Sequence, residues 1–190
     1  MSMKLVILGL LMECDSHPYE LMQKMKERAM LHYIKMEEGS LYYAIDKLAQ
    51  EAYVEVVAKV QLGGKRDRTI YRITERGTEL FHELLDAQFA ESKHIHHPLY
   101  AALAFAKHGR ASRIHELLQH QIMEQQRIVT HLKDLYESHI HDVPRAVLHM
   151  MKGRLEHAVV ELRWLERLSA DAAADRLKMK GEPIDDAGAM

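Results

Sequence analysis

The apolar positions in the first third of the chain predict two helices in succession. Residues 3–12 are almost continuously apolar and predict a buried first helix. Pro18 suits the first position of a second helix, because it lacks an N–H that would be unpaired there in any case. Glu20 complements the positive end of that helix dipole, and apolar residues recur at helical spacing to about residue 30.

A third predicted helix, within residues 37–55, separates apolar from polar side chains. Its apolar positions have the i, i+3, i+4, i+7 spacing of an inward stripe, namely Leu41, Ala44, Ile45 and Leu48. This spacing turns the intervening side chains outward, namely Tyr42, Tyr43, Asp46, Lys47 and Gln50. Two adjacent tyrosines off the apolar stripe indicate that this outer face meets a partner.

After the third helix the apolar period changes from about 3.6 residues to 2. Val54, Val56, Ala58 and Val60 alternate with other residues, as in a half-buried strand. Leu62-Gly63-Gly64 predicts a turn, and residues 69–73 predict the returning strand. Thr74 then predicts the N-cap of a fourth helix with inward Leu80, Leu84 and Leu85. The order of helix, helix, helix, two-stranded hairpin and helix predicts a winged helix-turn-helix.

The hairpin is the basic part of a slightly acidic chain of net charge −2. Six cations lie between residues 59 and 76, against the two acids Asp67 and Glu75: Lys59, Lys65, Arg66, Arg68, Arg72 and Arg76. A solvated surface run is one interpretation. The other is DNA binding, since a protruding helix fits the major groove and arginines at a wing tip can enter the narrow minor groove. The order and spacing of these features favour DNA binding.

Three segments resemble the PadR family of bacterial transcriptional regulators: HPYELMQKM, GSLYYAIDKLAQEAYVE and GGKRDRTIYRITERG. The resemblance covers residues 3–86 and extends more loosely beyond them. It implies a mainly α (α+β) protein with an N-terminal winged helix-turn-helix and an appended helical dimerisation domain. It also implies a dimeric, repressor-like protein that binds a near-palindromic operator, with these residues at the DNA: Tyr19, Ser40, Tyr42 and Lys47 at the groove, and Lys65, Arg66 and Arg68 in the wing.

The chain departs from the family pattern at three places. Tyr43 occupies the position of a usual proline, so that its role as a DNA contact or as an idle surface residue stays open. Many members have glycine where this chain has Ala52, and a left-handed alanine there would cost about 1 kcal/mol. Glu37 and Glu38 suit the helix dipole but would repel a phosphate that they faced. Tyr42 could also be a structural tyrosine that bridges helices.

The C-terminal half predicts three further helices. A short helix is predicted at residues 99–107, and residues 109–112 interrupt the helical pattern after it. A long amphipathic helix spans about 113–140, and a last helix runs from Pro144 to about residue 168. The last helix has two apolar faces: Leu155, Val159, Leu162 and Leu165 on one, and Val160, Trp164 and Leu168 on the other. Two faces need two neighbours, which predicts the long helix as one and a second protomer of a homodimer as the other.

We therefore expect a DNA-binding domain at 1–86, a dimerisation domain at 87–170 and a mobile tail at 171–190, where periodicity is lost. Trp164 is the single tryptophan. Some relatives hold flat aromatic effectors in this region, so Trp164 is interpreted either as a core residue or as an effector contact.

Fourteen histidines raise the question of a metal site, and the tightest groups are at 94–97 and 139–141. No second ligand pair is placed by the sequence, so no metal and no cofactor are expected. Histidines that titrate near pH 6 could instead make the C-terminal half sensitive to acid.

A ligand-responsive DNA-binding regulator, most often a repressor in this family, is the leading functional hypothesis. A winged-helix protein-interaction module and an activator with the same DNA grip are the alternatives. An enzyme is disfavoured, because GxSxG, CxxC and glycine-rich phosphate loops are missing from the sequence. Cys14, the single cysteine, is interpreted as a packing residue and fits a reducing compartment. No apolar run reaches the ~20 residues of a membrane span, so we expect a cytoplasmic protein.

Overall fold

The computed structural model describes residues 3–28, 30, 38–60, 68–92, 97–181 and 183–184. The chain divides into two compact units, Met1–His94 and Ile95–Met190. The N-terminal unit contains α1 (Met3–Glu13), α2 (Pro18–Glu27), α3 (Glu38–Gln50), β1 (Val54–Val60), β2 (Arg68–Ile73) and α4 (Glu75–Ala90). The C-terminal unit contains α5 (Pro98–Phe105), a short 3-10 turn (Ala106–His108), α6 (Ala111–His139) and α7 (Arg145–Ala173). The mainly helical fold with a two-stranded wing is as predicted.

The core of the N-terminal unit forms where the apolar faces of the first three helices meet. From α1 and α2 it contains Ile7, Leu8, Leu10, Leu11, Leu21, Met22 and Met25. The predicted inward stripe of α3 is confirmed, since Leu41, Ile45 and Leu48 are buried in this cluster and Ala44 packs against it. Leu80, Phe81 and Leu84 of α4 close the core from another side, and Leu85 is half-buried.

The two strands pair antiparallel from Val54 opposite Ile73 to Val60 opposite Arg68. The register shifts between Val56 and Ala58, which leaves Val57 as an extra residue on β1. The alternation predicted for a half-buried strand therefore fails at Val56, since Val56 is 46% and Val57 36% exposed. Val54 is buried in the core, but Val56 and Val57 further along β1 are not part of it, so alternation of apolar residues does not bury their side chains. The predicted turn at 62–64 lies outside the described residues.

Ser16 extends the hairpin by one isolated bridge to Tyr71. The N–H of Ser16 donates to the Tyr71 carbonyl at 3.0 Å, and the N–H of Tyr71 donates back at 3.1 Å. This bridge fixes the connection between α1 and α2 against the wing strand. Cys14, in the same connection, is exposed rather than packed as we expected, and hydrogen bonding from Lys24 lowers the pKa of its thiol.

α3 ends in a helix-terminating motif centred on Ala52. The N–H of Tyr53 donates to the Leu48 carbonyl at 2.9 Å, and the N–H of Ala52 donates to the Ala49 carbonyl at 3.1 Å. This is the Schellman pattern, which requires a left-handed residue, and Ala52 has φ 59°. The left-handed conformation considered from the sequence is thus present in an alanine.

The C-terminal unit is built on the antiparallel pairing of α6 and α7. One buried cluster contains Leu118, Ile122, Leu165 and Ala172, and a second contains Leu132, Leu155 and Ala158. Gln125 adds a hydrogen bond to the Ala158 carbonyl at 3.1 Å, and Gln119 donates to the buried hydroxyl of Ser169 at 2.9 Å. The long helix therefore covers the α7 face that includes Leu155 and Leu165.

α7 continues to Ala173, five residues beyond the predicted end near Leu168. After it, Leu177 packs against the first of the two clusters, and Arg176 pairs with Asp171 at 2.7 Å. Residues 182 and 185–190 of the predicted mobile tail lie outside the described residues, and its mobility stays a prediction. None of the described helices has the length and apolar character that a membrane span requires.

Candidate nucleic-acid interface

The outer face of α3 presents polar and aromatic side chains to solvent. Tyr43 is 72% and Tyr42 39% exposed. Ser40 and Lys47 are exposed as well, at the start and in the last turn of the helix. Because Leu41, Ile45 and Leu48 anchor the opposite face, α3 is held rigidly while these four side chains remain free to meet a partner.

Tyr19 lies exposed in the first turn of α2, beside a histidine cap. Nδ1 of His17 accepts from the N–H of Tyr19 at 3.0 Å, and the carboxylate of Glu20 accepts from the N–H of His17 at 2.9 Å. Burial lowers the pKa of His17, and the charge of Arg68 lowers it further. The start of α2 and the start of the wing strand are therefore close enough to interact electrostatically.

Arg68 is the first residue of β2 and is exposed. Lys65 and Arg66, the other two cations predicted for the wing, lie outside the described residues. The described part of the wing thus carries Arg68 and, on β1, the exposed Lys59.

Arg72 and Arg76, two of the four cations of the basic segment that the structure describes, have intramolecular partners. Arg72 forms a bidentate pair with Asp15, at 3.0 Å from Nε and 2.5 Å from Nη2. Arg76 lies over the Tyr53 ring, 4.8 Å from its centroid, and donates to the Glu51 carbonyl at 3.2 Å. Arg72 thus holds the connection before α2 against the wing, and Arg76 holds the end of α3 against the first turn of α4.

Asp46 connects α3 to the wing, a role that the sequence did not indicate. It belongs to the outward set of α3, yet its carboxylate lies close enough to Tyr71 of β2 to act on the Tyr71 hydroxyl. Burial raises the pKa of Tyr71, and the Asp46 carboxylate raises it further. With the Ser16 bridge on its backbone and Asp46 on its side chain, Tyr71 positions both the turn before α2 and the helix α3.

Trp164, the predicted effector contact, is half-buried in the C-terminal unit. Its ring meets the His97 ring nearly at right angles with centroids 4.9 Å apart, and the Tyr100 ring at 6.1 Å. Nδ1 of His97 caps α5 by accepting from the N–H of Leu99 at 3.1 Å, and Nε2 lies 2.8 Å from the Glu161 carboxylate. Among the described residues no three His, Cys, Asp or Glu side chains are grouped to hold a metal ion.

The remaining residues predicted for dimerisation differ in their surroundings. Leu155 and Leu165 are buried, and Val159, Leu162 and Leu168 are half-buried against the α6–α7 clusters. Val160, on the other face of α7, is 62% exposed. Within the chain, therefore, the first predicted apolar face is covered by α6, and Val160 of the second face is not.

Three helices, an antiparallel wing and a fourth helix, with the third helix exposed beside the wing, define a winged helix-turn-helix protein. Residues 7–83 match the model of the transcriptional regulator PadR-like family, and this segment belongs to that family. The resemblance seen in the sequence is confirmed over this segment, which is PadR-like. The family is one of regulators and not of enzymes.

Solved structures extend the similarity to nearly the whole chain. Bacillus subtilis PadR in complex with operator DNA superposes with a TM-score of 0.75 at 18% identity, covering 89% of this chain and 98% of that one. The Vibrio cholerae virulence activator AphA superposes with a TM-score of 0.73 at 17% identity, covering 92% and 99%. Bacillus subtilis PadR in complex with p-coumaric acid gives a TM-score of 0.73 at 17% identity, covering 90% and 98%. These identities establish a common fold. No curated protein matches the sequence significantly.

Proposed function

We propose that this protein is a dimeric repressor that binds a near-palindromic operator and releases it when a small-molecule effector binds. The observation that carries the proposal is the exposed face of α3, which presents Ser40, Tyr42, Tyr43 and Lys47. The opposite face of the helix is buried in the core. A helix of 13 residues with such a face fits the major groove, where hydroxyl and ammonium groups reach base edges and phosphates.

The wing and the start of α2 flank that helix in the proposed complex. Arg68, with Lys65 and Arg66 beside it in the sequence, contacts phosphates or the minor groove, and Tyr19 contacts the backbone near the start of α2. Asp46 and Tyr71 support this arrangement because they couple α3 to the strand that carries Arg68. A ligand that shifted either element would disturb both.

The α3 helices of two protomers would bind successive major grooves about 34 Å apart. The dimer would then bind one site with higher affinity and specificity than either half-site alone provides. The exposed Val160 face of α7, with Trp164 and Leu168 beside it, is the proposed dimer contact. The remaining face of α7 is already covered by α6. The domains in the proposal are therefore 1–86 for DNA and 87–170 for the dimer.

An effector near Trp164 would act by population shift, through preferential binding to a dimer whose α3 helices no longer match the grooves. The complex of Bacillus subtilis PadR with p-coumaric acid supports a small aromatic effector in this fold. An activator is the second candidate, since AphA, which shares the fold, is described as a virulence activator. An activator would bind DNA through the same residues, so DNA binding alone does not separate the two functions. A promoter fusion separates them, because repression lowers reporter output and activation raises it.

Selection of genomic DNA fragments with the purified protein, followed by footprinting, tests operator binding. The recovered sites should contain an inverted repeat, and affinity should fall steeply with salt because bound phosphates release counterions. Binding that ignored sequence, or the absence of any bound DNA at low salt, would instead favour the winged helix as a protein-interaction module.

Replacing Arg68 with alanine should weaken specific and nonspecific DNA binding alike. Loss of one phosphate contact lowers the slope of log affinity against log salt by about 1 per half-site. Fluorescence anisotropy over a salt series measures this slope. Arg127→Ala, which removes an exposed arginine of α6 paired with Glu124, is the matched control and should leave the slope unchanged. Equal slopes for Arg68→Ala and wild type would remove Arg68 from the interface.

A further inference from the structure

The connection between α1 and α2 is bonded to the wing strand β2 at two neighbouring positions. Ser16 and Tyr71 form the isolated backbone bridge, with N···O distances of 3.0 and 3.1 Å. Beside this bridge, Nε of Arg72 donates to Oδ1 of Asp15 at 3.0 Å and Nη2 donates to Oδ2 at 2.5 Å. A guanidinium group that donates twice to one carboxylate fixes the orientation of the two side chains as well as their distance.

These bonds lie between two of the proposed DNA contacts. Pro18, the first residue of α2, follows Asp15 by three positions, and Tyr19 follows it by four. In β2, Arg68 lies four positions before Arg72, so the alternation of the strand places both exposed arginines on the same face. The bonds at Ser16 and Asp15 therefore determine where Tyr19 lies relative to Arg68.

The connection itself is rigid between these bonds. Ser16 is 1% exposed, and its hydroxyl donates to the Cys14 carbonyl at 3.2 Å. Nζ of Lys24, further along α2, donates to the same hydroxyl oxygen at 3.3 Å. A displacement of Asp15 would therefore be passed on to the start of α2 rather than absorbed by the connection.

The charge of Asp15 is opposite to the charge that a DNA-binding surface needs. An exposed acid close to the proposed contacts repels phosphates, so by itself it should weaken binding. The side chains of Arg72 and Asp15 are 53% and 34% exposed, and exposed ion pairs usually contribute little to the free energy of unfolding. What the pair does determine is the position of α2 against the wing.

We propose that Asp15 and Arg72 are positioning residues for DNA binding, because their bidentate pair sets the start of α2 against the wing so that Tyr19 and Arg68 meet the same stretch of DNA backbone. This assignment rests on the proposed function for the DNA contacts themselves. It gives Asp15 a role that favours DNA binding despite its negative charge, and it gives Arg72 a protein partner instead of a phosphate.

A double-mutant cycle measured with DNA tests the proposal. Fluorescence anisotropy gives the affinity of the full chain for a labelled duplex that carries the footprinted site. Asp15→Ala and Arg72→Met should each weaken binding about fivefold or more, and the double variant should bind no more weakly than the weaker single variant. Urea denaturation should give nearly unchanged midpoints for all three variants, because the pair is exposed.

Glu13 and Arg28 form the matched control pair. Their pair is also bidentate, at 2.5 and 2.6 Å, and half-exposed, but it joins the end of α1 to the C-cap of α2, at the opposite end of α2 from Tyr19. Glu13→Ala and Arg28→Met should change the affinity for the same duplex less than about twofold. Asp15→Asn, which keeps an acceptor without the charge, should weaken binding less than Asp15→Ala.

Electrostatic repulsion alone predicts the opposite sign for Asp15. If Arg72 bound a phosphate directly, Asp15→Ala would leave binding unchanged or strengthen it, and the effects of the two substitutions would add. Either result would overturn the proposal, as would equal weakening by the control pair. In each of these outcomes wild type still binds its site, so the proposed function stands. Failure of wild type to bind any selected duplex would refute the proposed function, and the positioning role with it.

Discussion

Ala52 is an alanine at a backbone position that favours glycine. Its φ of 59° closes the Schellman motif after α3, and a Cβ in the left-handed region is strained. This strain lies directly between the helix proposed to read DNA and the wing.

Ala52→Gly should raise the free energy of unfolding by about 0.5–1 kcal/mol, because relief of the left-handed strain exceeds the added entropy of the unfolded chain. Urea denaturation followed by circular dichroism measures the change. Ala87→Gly, at an exposed position within α4, is the control and should lower stability by about 1 kcal/mol. A destabilised Ala52→Gly would show that the alanine is not strained.

His17 makes the start of α2 sensitive to acid. Its Nδ1 accepts the N–H of Tyr19, and a protonated imidazole cannot accept this bond. Burial lowers the folded-state pKa of His17, so the unfolded chain takes up the proton first. The stability that His17 contributes is therefore fully present above the unfolded pKa of about 6.5 and is lost as pH falls toward the lowered folded value.

His17→Asn keeps a capping side chain but removes the titration. Between pH 7 and pH 5, wild type should lose more unfolding free energy than this variant, by at most about 1 kcal/mol, the usual contribution of an N-cap. Chemical denaturation at the two pH values gives the difference in unfolding free energy. The chain has 14 histidines, and the other thirteen are present in both proteins, so their contributions cancel. The same pH dependence in both proteins would contradict the assignment.

At the scale of elements, α4 and the end of α3 meet so closely that a side chain does not fit between them. A Cβ on Gly77 would lie 2.0 Å from the Tyr53 carbonyl oxygen and 2.8 Å from Cγ1 of Ile73. Thr74 caps α4 at the same place, accepting from the Gly77 N–H at 3.0 Å and donating to the Tyr53 carbonyl at 3.1 Å. The contact thus fixes where the wing leaves the core.

Gly77→Ala should lower the free energy of unfolding by at least about 2 kcal/mol, because backbone atoms must move to admit the methyl group. Thermal or urea unfolding measures this loss. Gly39→Ala in α3 belongs to the same unit, and an added Cβ there meets nothing within 4 Å. That control should change stability by less than about 1 kcal/mol; similar effects of both substitutions would argue against the close contact.

At the scale of the whole molecule, the proposed dimer depends on the face of α7 that α6 does not cover. Val160→Asp should place a charge in that contact and convert the dimer to a monomer, with at least a tenfold loss of operator affinity. Sedimentation velocity and anisotropy measure the two effects. Ile128→Asp, at an exposed position of α6, is the matched control. A dimer that survived Val160→Asp but dissociated in Ile128→Asp would assign the contact to α6 instead.

The sequence by itself determined the order of the elements and the sides that they bury. Apolar spacing predicted the inward stripe of α3, and Thr74 and Pro18 predicted where α4 and α2 begin, because periodicity and capping act between residues a few positions apart. The left-handed Ala52 was anticipated from the family resemblance, because many members have glycine at this position. Local reasoning failed at Val56, since a bulge depends on how two strands pair.

Only the tertiary structure decided which polar groups are free. Asp15 and Arg72 are 57 positions apart, and nothing local shows that one neutralises the other. The same holds for Asp46 beside Tyr71, for Arg76 on Tyr53, and for Nε of Arg167, which has no hydrogen-bond partner among the described residues. A charge run in a sequence counts cations, whereas their availability to DNA or to a ligand depends on partners that chain packing brings together from distant positions.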